Sequence, residues 1–217
     1  MLIKKAISQI KEDIKTIREK DPAAKSTIEV ILCYPGLHAL ILHRIAHKFA
    51  YWKIPLLPRI ISNISRFLTG IEIHPEARIG RRFFIDHGMG VVIGATTIIE
   101  DDVLIYQGVT LGGTGKEEGK RHPTIKSNVV VGAGAKVLGN IEIGEYSRIG
   151  AGSVVIGNIP SFSTVVGIPG RVAARSRVHT NGQLQHNRIP DPITCQIRRL
   201  TYEIKELQEI LNVNHDS

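Results

Sequence analysis

Aliphatic side chains recur every six residues through the middle of the chain, and this period limits the possible folds more than any other feature. A period of six fits neither the helical repeat of about 3.6 residues nor the two-residue alternation of a strand. It predicts a solenoid in which three six-residue faces close one triangular coil of eighteen residues. The alternative fold is a β-sandwich of short strands. An aliphatic series that keeps one phase over so many repeats disfavours the sandwich. Interrupted by a two-residue slip and by the polar insertion GGTGKEEGKRHPT, the series is Ile73, Ile79, Ile85, Ile93, Ile99, Ile105, Leu111, Ile125, Val131, Val137, Ile143, Ile149 and Val155.

Glycine follows many of these aliphatic positions, and the fourth residue after them is often small, as at Ala77 and Ser153. Because glycine adopts positive φ angles at little cost, we expect these glycines to form the corners of the coil. The segment SFSTVVGIPGRV follows the last repeat, and we expect it to leave the coil.

Helical patterns flank the repeats. Apolar residues at three-and-four spacing predict a helix over residues 1–20, which Asp21-Pro22 ends. A second helix is predicted from Pro35 onward, and a third from Arg59 to Leu68 with Gly70 as its cap. The apolar pattern returns after Pro192 and predicts a helix that packs on a neighbouring helix.

The chain is therefore predicted to be mainly β with a helical amino-terminal region. The predicted units are a helical region over 1–70, a solenoid over 71–172 with a loop at 112–123, and a linker with a carboxy-terminal helix over 173–217.

Composition narrows the class of function. No run of about 18 apolar residues exists, so we expect no membrane span. Cys33 and Cys195 belong to no motif, which fits a reducing, cytoplasmic compartment and offers no metal site. The formal charge of +8 favours an anionic partner, but aromatic residues make up only 5% of the chain, and no basic stretch contains them. We therefore expect no nucleic-acid partner.

The repeats resemble the hexapeptide-repeat acyltransferases, a superfamily of trimeric, left-handed parallel β-helices. Within it, the stretches IEIHPEARIG, FIDHGMGVVIGATTIIEDDV, YQGVTLGGTGKEEGKRHPTI and VGAGAKVLGNIEIG resemble the serine O-acetyltransferases. The resemblance implies transfer of acetyl from acetyl-CoA to the hydroxyl of L-serine, giving O-acetyl-L-serine for cysteine biosynthesis. Acetyl-CoA would be a co-substrate, and no cofactor would be bound permanently.

By this resemblance His87 is the general base that removes the serine proton, a task suited to an imidazole that titrates near neutral pH. The position of its orienting carboxylate falls on Glu72, where many members of the family carry aspartate. Glu72 and His87 are fifteen residues apart, which in an eighteen-residue coil places them on adjacent rungs near one corner.

The resemblance also assigns the substrate contacts. Asp21 and Asp86 would receive the serine ammonium group, and Arg121 with His122 would hold its carboxylate. The loop that carries Arg121 is expected to reach into the cleft of a neighbouring subunit.

For acetyl-CoA, the backbone amide of Gly113 would stabilise the thioester oxyanion, Ala133 and Ala151 would line the channel, and Arg171 would meet the phosphates. Arg175 and Arg177 are further candidates for the phosphates. GGTGK is not a P-loop, because its glycines are misplaced and no hydroxyl follows the lysine.

Three questions stay open at this point. The acceptor could be another small hydroxylated molecule, such as homoserine or a sugar. A zinc hydratase on the same coil would need three converging histidines, and the repeats and their loop offer His74, His87 and His122. The assembly could be a homotrimer or a dimer of trimers.

The resemblance also implies regulation and a partner. L-cysteine is the expected feedback inhibitor. Family members often bind cysteine synthase through a carboxy-terminal isoleucine, whereas this sequence ends NVNHDS, so that partner is uncertain.

Overall fold

The computed structural model describes residues 2–115, 118–175, 201–204, 206 and 208. Four helices precede the solenoid, and short strands build it. The helices are α1 (Leu2–Lys20), α2 (Thr27–Cys33), α3 (Pro35–Tyr51) and α4 (Leu57–Thr69). The strands are β1 (Glu72–Ile73), β2 (Arg78–Ile79), β3 (Phe84–Ile85), β4 (Val92–Ile93), β5 (Ile98–Ile99), β6 (Leu104–Ile105), β7 (Thr110–Gly112), β8 (Thr124–Ile125), β9 (Val130–Val131), β10 (Lys136–Leu138), β11 (Glu142–Ile143), β12 (Arg148–Ile149), β13 (Val154–Val155), β14 (Ser163–Val166) and β15 (Arg171–Arg175).

The strands form the three faces of a coil. One parallel sheet runs β1-β4-β7-β10-β13, a second β11-β8-β5-β2, and a third contains β14-β12-β9-β6-β3. Val92 pairs with Thr110, and Lys136 pairs with Val154, so successive rungs are one eighteen-residue turn apart. The rungs are further apart in sequence only at the two-residue slip and at the polar insertion. The solenoid predicted from the six-residue period is confirmed.

The aliphatic series forms the interior of this coil. Its members are buried, except that Ile79 is partly buried. Burial of each such side chain contributes about 1.5–3 kcal/mol relative to exposure. The small fourth residues, such as Ala77 and Ser153, are also buried, because a larger side chain would not fit between the faces.

The glycines that follow the aliphatic positions do not turn the corners, and that expectation is wrong. Gly132 has no positive φ; a Cβ placed on it would lie 2.7 Å from the backbone nitrogen of Ala151 on the next rung. Close rung-to-rung approach is therefore what requires glycine there. Positive φ angles occur instead later in the turns, as at Gly108 (69°) and Asn128 (61°).

The end of the solenoid also differs from expectation. Part of SFSTVVGIPGRV stays in the coil, because β14 pairs in parallel with β12. Only afterwards does the chain reverse, and β15 pairs with β14 in antiparallel fashion. Most of the predicted helix after Pro192 lies outside the described residues, although 201–204 are helical.

The helices at the amino-terminal end follow the predicted order, with one addition. α2 was not predicted; its N-cap is Ser26, whose hydroxyl accepts a hydrogen bond from the backbone N–H of Glu29. Gly70 caps α4 in the left-handed conformation, as the sequence predicts. Among the described residues no single helix is long and apolar enough to cross a membrane, while α2 and α3 together pass that test of length and composition but are bent by 66°.

Ionic contacts hold α1 against the solenoid. Arg81 donates to both carboxylate oxygens of Glu12, at 3.0 and 2.8 Å. The ammonium group of Lys20 donates to the backbone carbonyls of Arg82 and Asp102, at 3.4 and 3.2 Å. These contacts fix the end of α1, and therefore the position of the residue that follows it, Asp21.

Candidate functional site

The turn between β3 and β4 carries the predicted base. His87 has a positive φ of 59°, and its side chain is 75% exposed. Its Nε2 lies 3.8 Å from Oδ1 of Asp86, whose side chain is only 20% exposed. The corner therefore presents an imidazole to solvent beside a carboxylate that is directed inward.

Asp21 and Asp86 are brought together, although 65 positions separate them in the sequence. Burial raises the pKa of Asp86, and the negative charge of Asp21 raises that pKa further, against the opposing effect of His87. Asp21 itself accepts hydrogen bonds from the Tyr34 hydroxyl at 2.6 Å and from the backbone N–H of Ala23 at 2.8 Å. Two adjacent carboxylates with oxygen atoms to spare form a suitable receptor for a cation.

Two tyrosines complete this region, and the sequence analysis missed both. Burial and the hydrogen bond to Asp21 raise the pKa of Tyr34. Burial and the charges of Asp86 and Asp21 raise the pKa of Tyr106. Tyr106 follows Ile105, whose carbonyl accepts from the Asp86 amide, so the repeat period alone could have placed it one rung from Asp86.

Glu72 lies on the rung next to His87, as its spacing predicts, because Glu72 pairs with Val92 in the sheet. Its carboxylate accepts a hydrogen bond from Nη1 of Arg66 at 3.0 Å. In the part of the chain that the structure describes, no hydrogen bond joins Glu72 to His87. The orienting role of Glu72 therefore stays a prediction.

Arg121 and His122 lie at a different corner, beside the turn that follows β4. Their backbone N–H groups donate to the hydroxyl of Thr96 at 3.0 and 3.1 Å. His122 is buried and packs on Gly94, where any Cβ would overlap the imidazole ring. The ammonium group of Lys120 donates to the carbonyls of Thr96, His122 and Pro123, and it closes the base of the loop.

The predicted site residues thus fall on two edges of one face. We call the stacked turns at 86–90, 106–108, 132–134 and 150–152 the His87 edge. The loop edge comprises 94–97, 112–115 and 118–123. Four residues separate the nearest positions of the two edges, as from Gly90 to Gly94, which at about 3.3 Å per residue is about 13 Å and several times the distance between the ammonium and carboxylate groups of an amino acid.

The residues predicted to hold acetyl-CoA are also divided between the edges. Ala133 and Ala151 lie on the His87 edge, where Gly152 donates to the Ala133 carbonyl at 2.8 Å. The turns nearer to His87 are joined by the same kind of backbone hydrogen bond, since the N–H of Gly108 donates to the carbonyl of Met89 at 2.8 Å. Gly113 lies on the loop edge beside Arg121. Within one chain, therefore, neither the residues predicted to bind serine nor those predicted to bind acetyl-CoA all lie on one edge.

Arg171 begins β15 and pairs with Val166, at the lower end of the His87 edge. Arg175 closes the same strand, and Arg177 lies outside the described residues. Across the described ranges, no three or more histidine, cysteine, aspartate or glutamate side chains converge in a way that could hold a metal ion.

Comparison with known proteins identifies first the class and then the family. Residues 122–157 match the family described as bacterial transferase hexapeptide (six repeats), and residues 3–41 match the one described as serine acetyltransferase, N-terminal. The solenoid is therefore that of a hexapeptide-repeat transferase.

A serine acetyltransferase of Synechococcus elongatus is 59% identical over 199 residues, which are 92% of this chain and 81% of the relative. A solved serine acetyltransferase in complex with cysteine is 40% identical, with a TM-score of 0.80 over 82% of this chain and 69% of that one. The Brucella abortus enzyme in complex with coenzyme A is 41% identical, with a TM-score of 0.76 over 78% of this chain and 68% of its own. The chain belongs to the serine acetyltransferase family.

Proposed function

We propose that this chain transfers the acetyl group of acetyl-CoA to the hydroxyl of L-serine and releases O-acetyl-L-serine and CoA. The observation that carries this proposal is the separation of charge between the two edges. Asp21 and Asp86 suit the ammonium group of an amino acid, while Arg121 and His122 suit its carboxylate. A sugar has neither charged group. The serine acetyltransferase relatives support the choice of acceptor.

In the proposed reaction, His87 removes the proton of the serine hydroxyl as its oxygen attacks the thioester carbon. The C–O bond forms, and the carbonyl electrons move to oxygen, where the Gly113 amide would stabilise the negative charge. Collapse of this intermediate breaks the C–S bond. The departing CoA thiolate then takes the proton from the His87 imidazolium, so the base is regenerated.

Acetyl-CoA is proposed to lie along the His87 edge. The small side chains of Ala133 and Ala151 leave that edge open below the imidazole, and Arg171 stands near its lower end. The solved relative in complex with coenzyme A supports use of this co-substrate.

A second copy of the chain is proposed to complete the site. Within one chain the two halves of the amino-acid receptor lie on different edges, about 13 Å apart at their nearest backbone positions, so in this proposal the loop edge of one subunit meets the His87 edge of the next. A closed ring of such contacts is heterologous, and a trimer is the smallest ring that suits a triangular coil.

The surface of α4 supports this association. Its inward side is small and polar; for example, the Ser62 hydroxyl donates to the Ile73 carbonyl at 2.7 Å. Its outward side is apolar, with Phe67 89% exposed and Leu68 67% exposed. This apolar surface continues to Met89 of the His87 edge, whose side chain lies against Gly70 at the end of α4. Large exposed apolar surfaces of this kind usually mark contacts between proteins.

The activity is tested by measuring CoA release from acetyl-CoA with L-serine, homoserine, threonine, a sugar and a simple amine. We expect serine to give the highest kcat/KM, with O-acetyl-L-serine identified by mass spectrometry. A higher kcat/KM for any of the others would replace serine as the acceptor.

The shared site is tested by co-expressing two impaired variants, His87→Asn and Arg121→Ala, and assaying at a serine concentration far below the raised KM of Arg121→Ala. In a mixed ring, some sites combine the intact His87 of one subunit with the intact Arg121 of its neighbour. Random mixing in equal amounts should make about a quarter of the sites complete. If every site lies within one subunit, the mixture is no more active than the average of the two variants measured alone.

A further inference from the structure

Thr96 makes more hydrogen bonds with Arg121 and His122 than any packing role requires. Its hydroxyl oxygen accepts the backbone N–H groups of Arg121 and His122. The same hydroxyl lies 2.8 Å from Nδ1 of His122, and the backbone nitrogen of Thr96 lies 3.3 Å from that Nδ1. One residue therefore contacts both the backbone and the ring of the residue predicted to bind the substrate carboxylate.

These contacts decide where the His122 proton resides. The backbone N–H of Thr96 can only donate, but at 3.3 Å it is a weak donor; the hydroxyl at 2.8 Å is the main donor to Nδ1, so Nδ1 accepts from Thr96 and carries no proton itself. The Thr96 hydroxyl already accepts two N–H groups, and its own hydrogen is available for Nδ1. A neutral imidazole that accepts at Nδ1 carries its proton on Nε2.

The surroundings of His122 keep the ring neutral. Burial lowers the pKa of His122, and the positive charges of Arg121, Lys120 and His74 lower that pKa further. Within the described part of the chain, Nε2 makes no hydrogen bond, so its N–H is available to a ligand. It lies close to Gly113, since a Cβ there would be 3.3 Å from it.

We propose that Thr96 is a positioning residue that fixes His122 as the neutral Nε2–H tautomer and so presents an uncharged donor to the carboxylate of the acceptor. Arg121 then provides the positive charge that attracts the carboxylate, and the Nε2–H of His122 orients the carboxylate. The carboxylate role rests on the proposed function, whereas the tautomer does not.

The tautomer is tested by imidazole ¹⁵N NMR on the full-length protein labelled at histidine, with His122→Ala used to assign the signal. At neutral pH, the wild type and Thr96→Ser should show the Nε2–H pattern, because both keep the hydroxyl and the backbone donor. Thr96→Val should lose that single pattern and show both tautomers. A wild-type signal with the proton on Nδ1, or a Thr96→Val signal identical to wild type, would overturn the proposal.

Thr97→Val is the matched control. Thr97 is adjacent and buried, and among the described residues its hydroxyl has no hydrogen-bond partner. The isosteric change should leave the His122 signal and the kinetics unchanged; an equal effect at both positions would mean that Thr96 acts only through packing.

The kinetic test compares the KM for serine with the KM for acetyl-CoA. Loss of one oriented neutral hydrogen bond should raise the serine KM about 3- to 10-fold in Thr96→Val, with the acetyl-CoA KM unchanged and wild-type values restored in Thr96→Ser. If Thr96→Val does not fold, the wild-type tautomer and the Thr96→Ser kinetics still decide the matter. A correct tautomer in a protein that does not acetylate serine would contradict the proposed function alone, and active protein with the wrong tautomer would contradict this inference alone.

Discussion

The His87 edge and the loop edge flank the same face of the solenoid, yet they are built differently. The His87 edge is a column of short turns joined by backbone hydrogen bonds, as between Gly108 and Met89. The loop edge contains an insertion whose backbone is bound by two side chains, those of Thr96 and Lys120. The first edge therefore follows from the repeat, whereas the second depends on particular residues that the repeat does not require.

The two edges also carry opposite charge. Asp21 and Asp86 lie at the first, and Arg121 and Lys120 at the second. A zwitterion such as serine needs both signs at a separation of a few ångströms. A single coil that kept them so close would join them in an ion pair, which would compete with the substrate. In the proposed assembly, separation onto two edges of one chain keeps each half available until two subunits meet.

The largest expected effect is at the His87 edge. His87→Asn should lower kcat by about 10²- to 10⁴-fold, because the proton transfer is lost. Asparagine tolerates the left-handed conformation of this corner, as Asn128 does at φ 61°. Steady-state kinetics and thermal unfolding separate chemistry from folding; a variant that keeps wild-type kcat would remove His87 from the mechanism.

Arg121→Ala tests the other edge. Loss of a charge-assisted hydrogen bond should raise the serine KM roughly 10- to 100-fold. Cysteine has the same ammonium and carboxylate groups as serine, and a relative is solved in complex with it. Inhibition by cysteine should therefore be competitive with serine, and its inhibition constant should rise in parallel.

The control for Arg121 is Lys15→Ala, which removes a positive charge from an exposed pair on α1. It should change neither constant. If Arg121→Ala impairs the use of serine while cysteine inhibits as before, cysteine binds at a different site.

If Glu72 orients His87 as proposed, Glu72→Gln should lower kcat about tenfold, since a charged hydrogen-bond acceptor for the imidazole would be lost while the base remains. Arg66→Ala is the discriminating partner variant, because Arg66 donates to Glu72 in the structure. If Glu72 serves His87, Arg66→Ala keeps most of the activity. Equal losses in both variants would indicate that the Arg66–Glu72 pair matters only for structure.

The smallest effect concerns the docking of α1, which places Asp21 at the His87 edge. A hydrogen bond from Arg81 lowers the pKa of Glu12 from its ordinary 4.5. Its stabilising contribution is therefore present above pH 4.5 and is lost as the pH falls through the lowered pKa. Glu12→Gln should reduce the free energy of unfolding at pH 7 by at most about 1 kcal/mol, and should flatten the acid limb of its pH dependence.

Urea unfolding at several pH values measures this effect. Glu19→Gln is the matched control, because Glu19 forms an exposed pair with Lys15 on the same helix. A loss in Glu19→Gln as large as in Glu12→Gln would show that helix charge, rather than docking to the solenoid, is responsible.

The sequence allowed the coil to be predicted because its period is set by local packing, one aliphatic residue on each face. The meeting of Asp21 with Asp86 followed only from family resemblance, since it depends on how α1 docks. The roles of Tyr34 and Thr96 were not predicted at all. Each acts through a single hydroxyl in a three-dimensional contact, and no periodicity marks such a contact.

The corner glycines illustrate a different limit. A glycine in a repeat signals either an unusual φ or a close approach, and the pattern alone does not distinguish them. At Gly132 the neighbouring rung decides, because Ala151 lies too near for any side chain.

The reversed strand β15 has a consequence for growth of the coil into fibres. A parallel solenoid ends in strands whose unpaired backbone groups match the start of another coil, so open ends can stack without limit. Here the antiparallel pairing of β15 with β14 covers one face, and the backbone of Gly167 and Gly170 bonds to Val154 on another. On the third face Ile159 bridges to Ile143. Where β15 covers the coil, a second molecule would meet a strand of the wrong polarity, which disfavours end-to-end stacking of two coils.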